Sequence, residues 1–150
     1  MSIILKDVTK ENWMECINLR SSKDRINSIF EEFVASNAFS IAQSKIEEEW
    51  VTKAIYDNET LIGFTMYGFY EKYKFYEISR LMIDYKFQQR GYGTQALLKI
   101  IDEMKNYKNC KEIFLTIGQG NEIAIKIYKE IGFKDTGRII ANELVYKLEL

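Results

Sequence analysis

Gln88 to Thr94 reads QQRGYGT, a polar turn with glycines at 91 and 93. Ahead of it runs an apolar stretch with Ile78, Leu81, Met82 and Ile83. Behind it Leu97, Ile100, Ile101 and Met104 recur at helical spacing. A strand, a glycine turn and a helix in that order can hold an anion. Glycines let the backbone approach a ligand with no Cβ in the way. The unpaired N–H groups of the first helical turn then point at that ligand, and the helix dipole adds partial positive charge. Such a place suits a phosphate or pyrophosphate without needing a lysine or arginine, although Arg90 lies in the turn.

Several phosphate-binding loops share this logic. A Walker loop needs Gly-Lys-Ser/Thr, but Thr94 directly follows Gly93. The dinucleotide fingerprint G-x-G-x-x-G/A is met by Gly91, Gly93 and Ala96. It also calls for an acidic residue at the end of the next strand, and the stretch from Lys111 ends instead in Gly118-Gln119-Gly120. Gln88-Gln89-Arg90-Gly91-Tyr92-Gly93 resembles a third type, the Q/R-x-x-G-x-G/A acetyl-CoA signature of the GNAT N-acetyltransferase superfamily. Asn121 to Phe133 (NEIAIKIYKEIGF) resembles that family's second signature, an Asn-initiated helix ending in Tyr-x-x-x-Gly-Phe. With the strands before and after, the resemblance covers essentially the whole chain. Leu61–Gly68 and Arg80–Asp84 look most like bacterial spermine/spermidine acetyltransferases.

The resemblance implies direct acetyl transfer from acetyl-CoA to a primary amine, with no acyl-enzyme. It places the pantetheine arm against the backbone of Leu81, Met82 and Ile83. Amides from Gln88 through Gln89, Arg90, Gly91, Tyr92, Gly93 and Thr94 would take the pyrophosphate, and Asn121 would contact the arm. Asn121 is also a good helix cap whatever its function. Tyr128 matches the family tyrosine near the CoA sulfur and is the candidate acid; its plain reading is a core tyrosine, with Ile123, Ala124, Ile127 and Ile131 marking the buried face nearby. Glu77 stands six residues before Ile83, where histone-type members carry their base; its plain reading is an exposed strand carboxylate. Ser79 departs from the acidic residue that polyamine-type members tend to carry there. Positions 77 and 79 share a strand face, so Glu77 could serve the same pocket through a water.

These residues need elements to position them. Ile3–Val8 reads as a strand, and Thr9 can cap a helix from Lys10 to about Arg20 with Trp13, Cys16 and Ile17 on one face. A second helix spans Ile26 to Val34. Ser36-Asn37 should break it, and a third runs from Phe39 to Trp50. Its Glu47-Glu48-Glu49 run could attract a cationic amine or simply be a solvated face. Strands follow at Val51–Tyr56, Thr60–Tyr70 and Phe75–Ile83, then the long helix, a strand at Lys111–Ile117 and a helix from Asn121 to Ile131 stopped by Gly132. Strands at Phe133–Ile140 and Glu143–Leu148 close the chain. Aromatics at Tyr67, Phe69, Tyr70, Tyr73 and Tyr76 read mostly as core or cross-strand pairs, a few of which could line an amine site. The order predicts an α/β protein of the GNAT fold, a mixed twisted sheet of six to seven strands with helices on both faces.

Composition agrees. The 150 residues suit a single domain over 1–150, and 47% apolar content is globular. A net charge of −1 argues against a nucleic-acid binder. With no histidine, a His-based triad or His-ligated metal is excluded, and Cys16 and Cys110 read as small buried hydrophobes rather than metal ligands. No apolar run approaches membrane-spanning length, and the polar start MSIILKDVTKEN is unlike a signal peptide, so a cytoplasmic location is expected. The expected activity is an acetyl-CoA-dependent N-acetyltransferase acting on a small amine, a polyamine first. The alternatives are a protein or peptide N-acetyltransferase and a non-catalytic acyl-CoA-binding module. Members of the superfamily often dimerise, and a homodimer is compatible with the sequence.

Overall fold

The computed structural model describes residues 1–23 and 36–150. Seven strands form one mixed sheet: β1 (Ile3–Asp7), β2 (Trp50–Asp57), β3 (Thr60–Tyr70), β4 (Phe75–Ile83), β5 (Glu112–Gly118), β6 (Lys134–Ile140) and β7 (Glu143–Glu149). Their spatial order is β1-β2-β3-β4-β5-β7-β6. Every neighbouring pair is antiparallel except β4 and β5. The helices among the described residues are α1 (Trp13–Asn18), α2 (Asn37–Ile46), α3 (Tyr92–Met104) and α4 (Glu122–Ile131). Cys16 and Leu19 pack with Trp50, Ala54, Phe64 and Met66 in one apolar cluster. Leu97, Ile100, Ile101 and Met104 pack with Tyr67, Ile78, Ile113 and Leu115 in another. The expected sheet with helices on both faces is present.

Several local expectations are corrected. The helix expected to reach Trp50 ends at Ile46, and Trp50 opens β2 with its ring buried. That helix also starts earlier than Phe39: the Ser36 hydroxyl accepts from the Phe39 N–H, and Asn37 is the first helical residue. α1 begins at Trp13 and is shorter than expected; Asn12, not Thr9, is the residue ahead of it. The reason is local, because the Asn12 amide is occupied by the Asp7 carbonyl and the Thr9 N–H, which hold residues 9–12 in a turn. Trp13, placed on the apolar face, is 43% exposed. The helix expected over Ile26–Val34 lies outside the described residues.

Two irregularities shape the middle of the sheet. Between β3 and β4 the register runs Met66 to Arg80 and Tyr67 to Ile78, so Ser79 is the extra residue of a bulge. Between β4 and β5 the parallel pairing is confined to Glu77 opposite Phe114, and the strands part beyond it. The opening lies at the carboxyl ends of parallel strands, where α/β sheets take ligands. Gly63 faces Ile83 across the β3–β4 pair, and a Cβ there would collide with the Met82 carbonyl oxygen. Only glycine lets β3 run this close to the end of β4.

Candidate active site

The glycine turn forms as its sequence demands. Gly91 sits ahead of α3 at φ 83°, a left-handed conformation that costs an L side chain about 1–2 kcal/mol. No side chain caps α3 and its first turn carries no acid. The helix forgoes a cap worth about 1 kcal/mol. It is held instead by Ala96, Leu97, Ile100, Ile101 and Met104, each burial worth roughly 1.5–3 kcal/mol for the larger side chains. Packing wins, and the N-terminus stays open for an anion. Gly93 follows within the first turn, beside Ile83.

Next to this helix end lies a cleft of about 330 Å³. Leu81, Met82, Ile83, Gln88 and Gly93 form one side; Asn121, Ile123, Ala124, Ile127 and Tyr128 form the other. Six of the residues expected to hold the donor line it together with the expected acid. Gln89, Arg90, Gly91, Tyr92 and Thr94 lie in the adjoining turn and first helical residues rather than in the cleft wall. Side-chain duties differ from backbone ones. The Gln88 amide donates to the Ser21 and Ile83 carbonyls at 2.6 and 2.9 Å, and the Tyr92 hydroxyl donates to the Asp57 carboxylate at 2.5 Å. Arg90 lies over the Phe87 ring at 5.9 Å.

Asn121 precedes α4 and its side chain accepts from the Ala124 N–H at 3.3 Å, so its capping role is realised. α4 has no fully buried residue, and Ile123, expected on its buried face, is 77% exposed. Ile123 and Ile127 line the cleft, while Ala124, Ile125, Tyr128 and Ile131 pack against the core cluster. Tyr128 is half-buried against the Phe133 ring, centroids 5.8 Å apart. Burial pushes its phenol above the usual tyrosine range, so it keeps its proton at neutral pH.

A second cleft, of about 540 Å³, is lined by the preceding part of β4: Glu77, Ser79 and Arg80. The bulge explains why both Ser79 and Arg80 border it despite being consecutive. Glu77 is not the exposed carboxylate of its plain reading. It is 6% exposed, and burial is the main cause raising its pKa to about 7, opposed by a hydrogen bond from Ser79 and the charge of Arg80. Glu143 pushes the same way as burial. Arg80 donates to the Ser79 carbonyl and hydroxyl at 3.0 and 2.8 Å, while its buried Nε has no partner among the described residues. Burial lowers its pKa, with Glu77 and Glu143 opposing.

Among the described residues around this cleft carboxylates outnumber cations five to two: Glu47, Glu49, Glu71, Glu77 and Glu143 against Lys72 and Arg80. Glu47 is oriented by the Trp50 indole N–H at 2.8 Å and the Gln43 amide at 3.2 Å. Tyr70, edge-on to Trp50, forms part of the wall. Sequence reasoning missed Arg80, Glu143 and Gln43 as neighbours of Glu77. Arg80 as the lone cation of β4, three residues from Glu77, was a usable signal; Glu143, remote in sequence, offered none.

Residues 10–133 match the family model described as the acetyltransferase (GNAT) family. The spermine/spermidine N(1)-acetyltransferase of Bacillus subtilis (strain 168) is 27% identical over 148 residues, spanning 95% of this chain and 94% of that protein. The PaiA N-acetyltransferase of Thermoplasma acidophilum, solved in complex with coenzyme A, superposes with a TM-score of 0.74 at 20% identity and complete coverage of both chains. The spermidine N-acetyltransferase of Vibrio cholerae, solved with CoA and spermine, gives 0.75 at 17% identity over 99% of this chain and 95% of that one. An open glycine turn, a cleft along the end of β4 and a match over most of the chain thus agree: this protein belongs to the GNAT acetyltransferase family, N-acetyltransferases that draw the acetyl group from acetyl-CoA.

Proposed function

We propose that this protein transfers the acetyl group of acetyl-CoA directly to a primary amine of a polyamine. The observation that carries the acceptor is the excess of carboxylates around the second cleft. A polyamine carries several ammonium groups, and a cleft lined by one sign of charge concentrates the opposite sign. The spermine/spermidine acetyltransferase of Bacillus subtilis, alike over nearly the whole chain, supports the same acceptor.

The two clefts lie on successive stretches of β4, which divides the chemistry. Backbone N–H groups at the α3 N-terminus hold the donor pyrophosphate, and the backbone of Leu81 to Ile83 holds its arm. An alkylammonium has a pKa of about 10.4, so about one molecule in a thousand is nucleophilic at neutral pH. Glu77, titrating near 7, accepts that proton directly or through a water. As the nitrogen–carbon bond forms, an N–H of the β4 backbone donates to the oxygen that gains charge. As the carbon–sulfur bond breaks, Tyr128 donates its proton to the leaving sulfur. Ser79 supplies no charge of its own; Glu143 and Glu47 supply it from other elements.

One observation favours a protein or peptide acceptor. The buried Arg80 Nε is a donor without a partner, and an ammonium chain cannot accept from it, whereas a peptide carbonyl can. The deciding experiment is CoA thiol release from acetyl-CoA with spermidine, spermine, monoamines and short peptides as acceptors. Turnover of spermidine well above monoamines and peptides is expected. Turnover of peptides alone would replace the polyamine reading. CoA binding without release for any acceptor would favour a non-catalytic acyl-CoA module.

A further inference from the structure

α1 has only six residues, too few to hold itself by helix propensity, and the chain leaves it in extended conformation at Leu19. Residues 20 and 21 are then tied to the donor turn. The Asp84 carboxylate, 4% exposed, accepts the Arg20 N–H at 3.0 Å on one oxygen and the Lys86 N–H at 3.0 Å on the other. The Tyr85 N–H donates to the Arg20 carbonyl at 2.7 Å. The Gln88 amide joins the Ser21 carbonyl to the Ile83 carbonyl. Asp84 itself is anchored by its N–H to Ile62 in the neighbouring strand. On the other side, the buried Leu19 belongs to the cluster containing Trp50, which borders the acidic cleft.

We infer that Asp84, assisted by Gln88, is a positioning residue that staples residues 19–23 to the donor turn, so that filling the donor cleft orders the acceptor side. Donor binding fixes the turn from Gln88 to Thr94 and with it the Gln88 amide and Asp84 carboxylate that grip Arg20 and Ser21. Leu19 passes the restraint to the Trp50 wall. Coupling of this kind is reciprocal, so an amine bound at the acidic cleft also tightens the donor. The inference rests on the donor-site reading and not on the identity of the amine.

Hydrogen exchange with and without CoA tests it, following peptides that cover residues 16–23 and 84–95. In the unaltered protein CoA should slow both. In Asp84→Asn, CoA should still slow 84–95, while the response of 16–23 falls by half or more. Gln88→Met, which keeps the backbone amide, should weaken the same response and serves if Asp84→Asn does not fold. With an active amine, Asp84→Asn should raise the amine KM about 5- to 10-fold at nearly unchanged kcat. A merely structural loss would lower kcat and leave KM alone. A folded Asp84→Asn whose 16–23 response and amine KM match the unaltered protein overturns the proposal. So does an unaltered protein in which only 84–95 responds. If CoA slows neither peptide, the donor-site reading fails and this proposal falls with it.

Discussion

Replacing Glu77 by glutamine should stabilise the protein at alkaline pH while removing the proposed base. Burial raises the carboxyl from an ordinary value near 4.5 to about 7. The folded state therefore binds this proton more tightly than the unfolded chain. The stabilisation from the protonated carboxyl is complete below about 4.5 and is lost as pH rises to about 7. At about 1.4 kcal/mol per tenfold change in proton affinity, the full loss is about 3 kcal/mol. For a chain of this size 1 kcal/mol moves Tm by roughly 2–4 °C, so the shift is on the order of 6–12 °C. The amide in Glu77→Gln cannot ionise and does not bear this loss. The Tm difference between Glu77→Gln and the unaltered protein should therefore grow from pH 5 to pH 8 by most of that amount, about 2.5 kcal/mol or roughly 5–10 °C, because the unfolded chain has already begun to ionise by pH 5. Pairing the two pH values cancels any constant effect of the amide. Thermal melts in matched buffers measure it. The same difference at pH 5 and pH 8 would mean that Glu77 titrates as an ordinary carboxylate and is not a poised base. In activity, kcat/KM of the unaltered protein should rise with pH through about 7. Glu77→Gln should lose that limb and about 10²- to 10⁴-fold in rate.

Tyr128→Phe should lower kcat by about 10²- to 10⁴-fold, with CoA affinity by calorimetry unchanged, because only the proposed proton donor is removed. Gly91→Ala should cost about 1–2 kcal/mol in denaturant unfolding through the left-handed backbone at φ 83°. It should weaken CoA binding as well; an unchanged midpoint would deny that the turn needs its glycine. Glu143→Gln, which removes one carboxylate of the acidic cleft, should raise the spermidine KM several-fold at low salt and leave that of a monoamine nearly unaltered. Equal effects on both amines in steady-state assays would show that Glu143 does not read the distal charge.

Much of this protein is legible locally. Strands Thr60–Tyr70 and Phe75–Ile83 carry the bounds read from their apolar pattern, and Gly91 and Gly132 stand at the helix ends where their backbone freedom is needed. Short-range chemistry decides such features, since a turn depends on the few residues within it. Errors arose where a distant partner outweighed the local pattern. Trp50 continued a helical spacing, yet burial against Ala54 and Phe64 in the sheet recruits it to β2. Ile123 fitted a buried stripe, yet that side of α4 faces a cleft.

The sequence alone determined the order of the described elements, the open glycine turn and the acetyl-CoA signatures, because each is written in contiguous residues. Only tertiary structure decided the acidic cleft, the proposed acceptor side. The bulge at Ser79 turns Arg80 into the Glu77 cleft, and the β6–β7 hairpin brings Glu143 there from 66 positions away. Burial then makes an ordinary glutamate a group titrating near 7. Desolvation and charge act through space, so no spacing along the chain could have announced them.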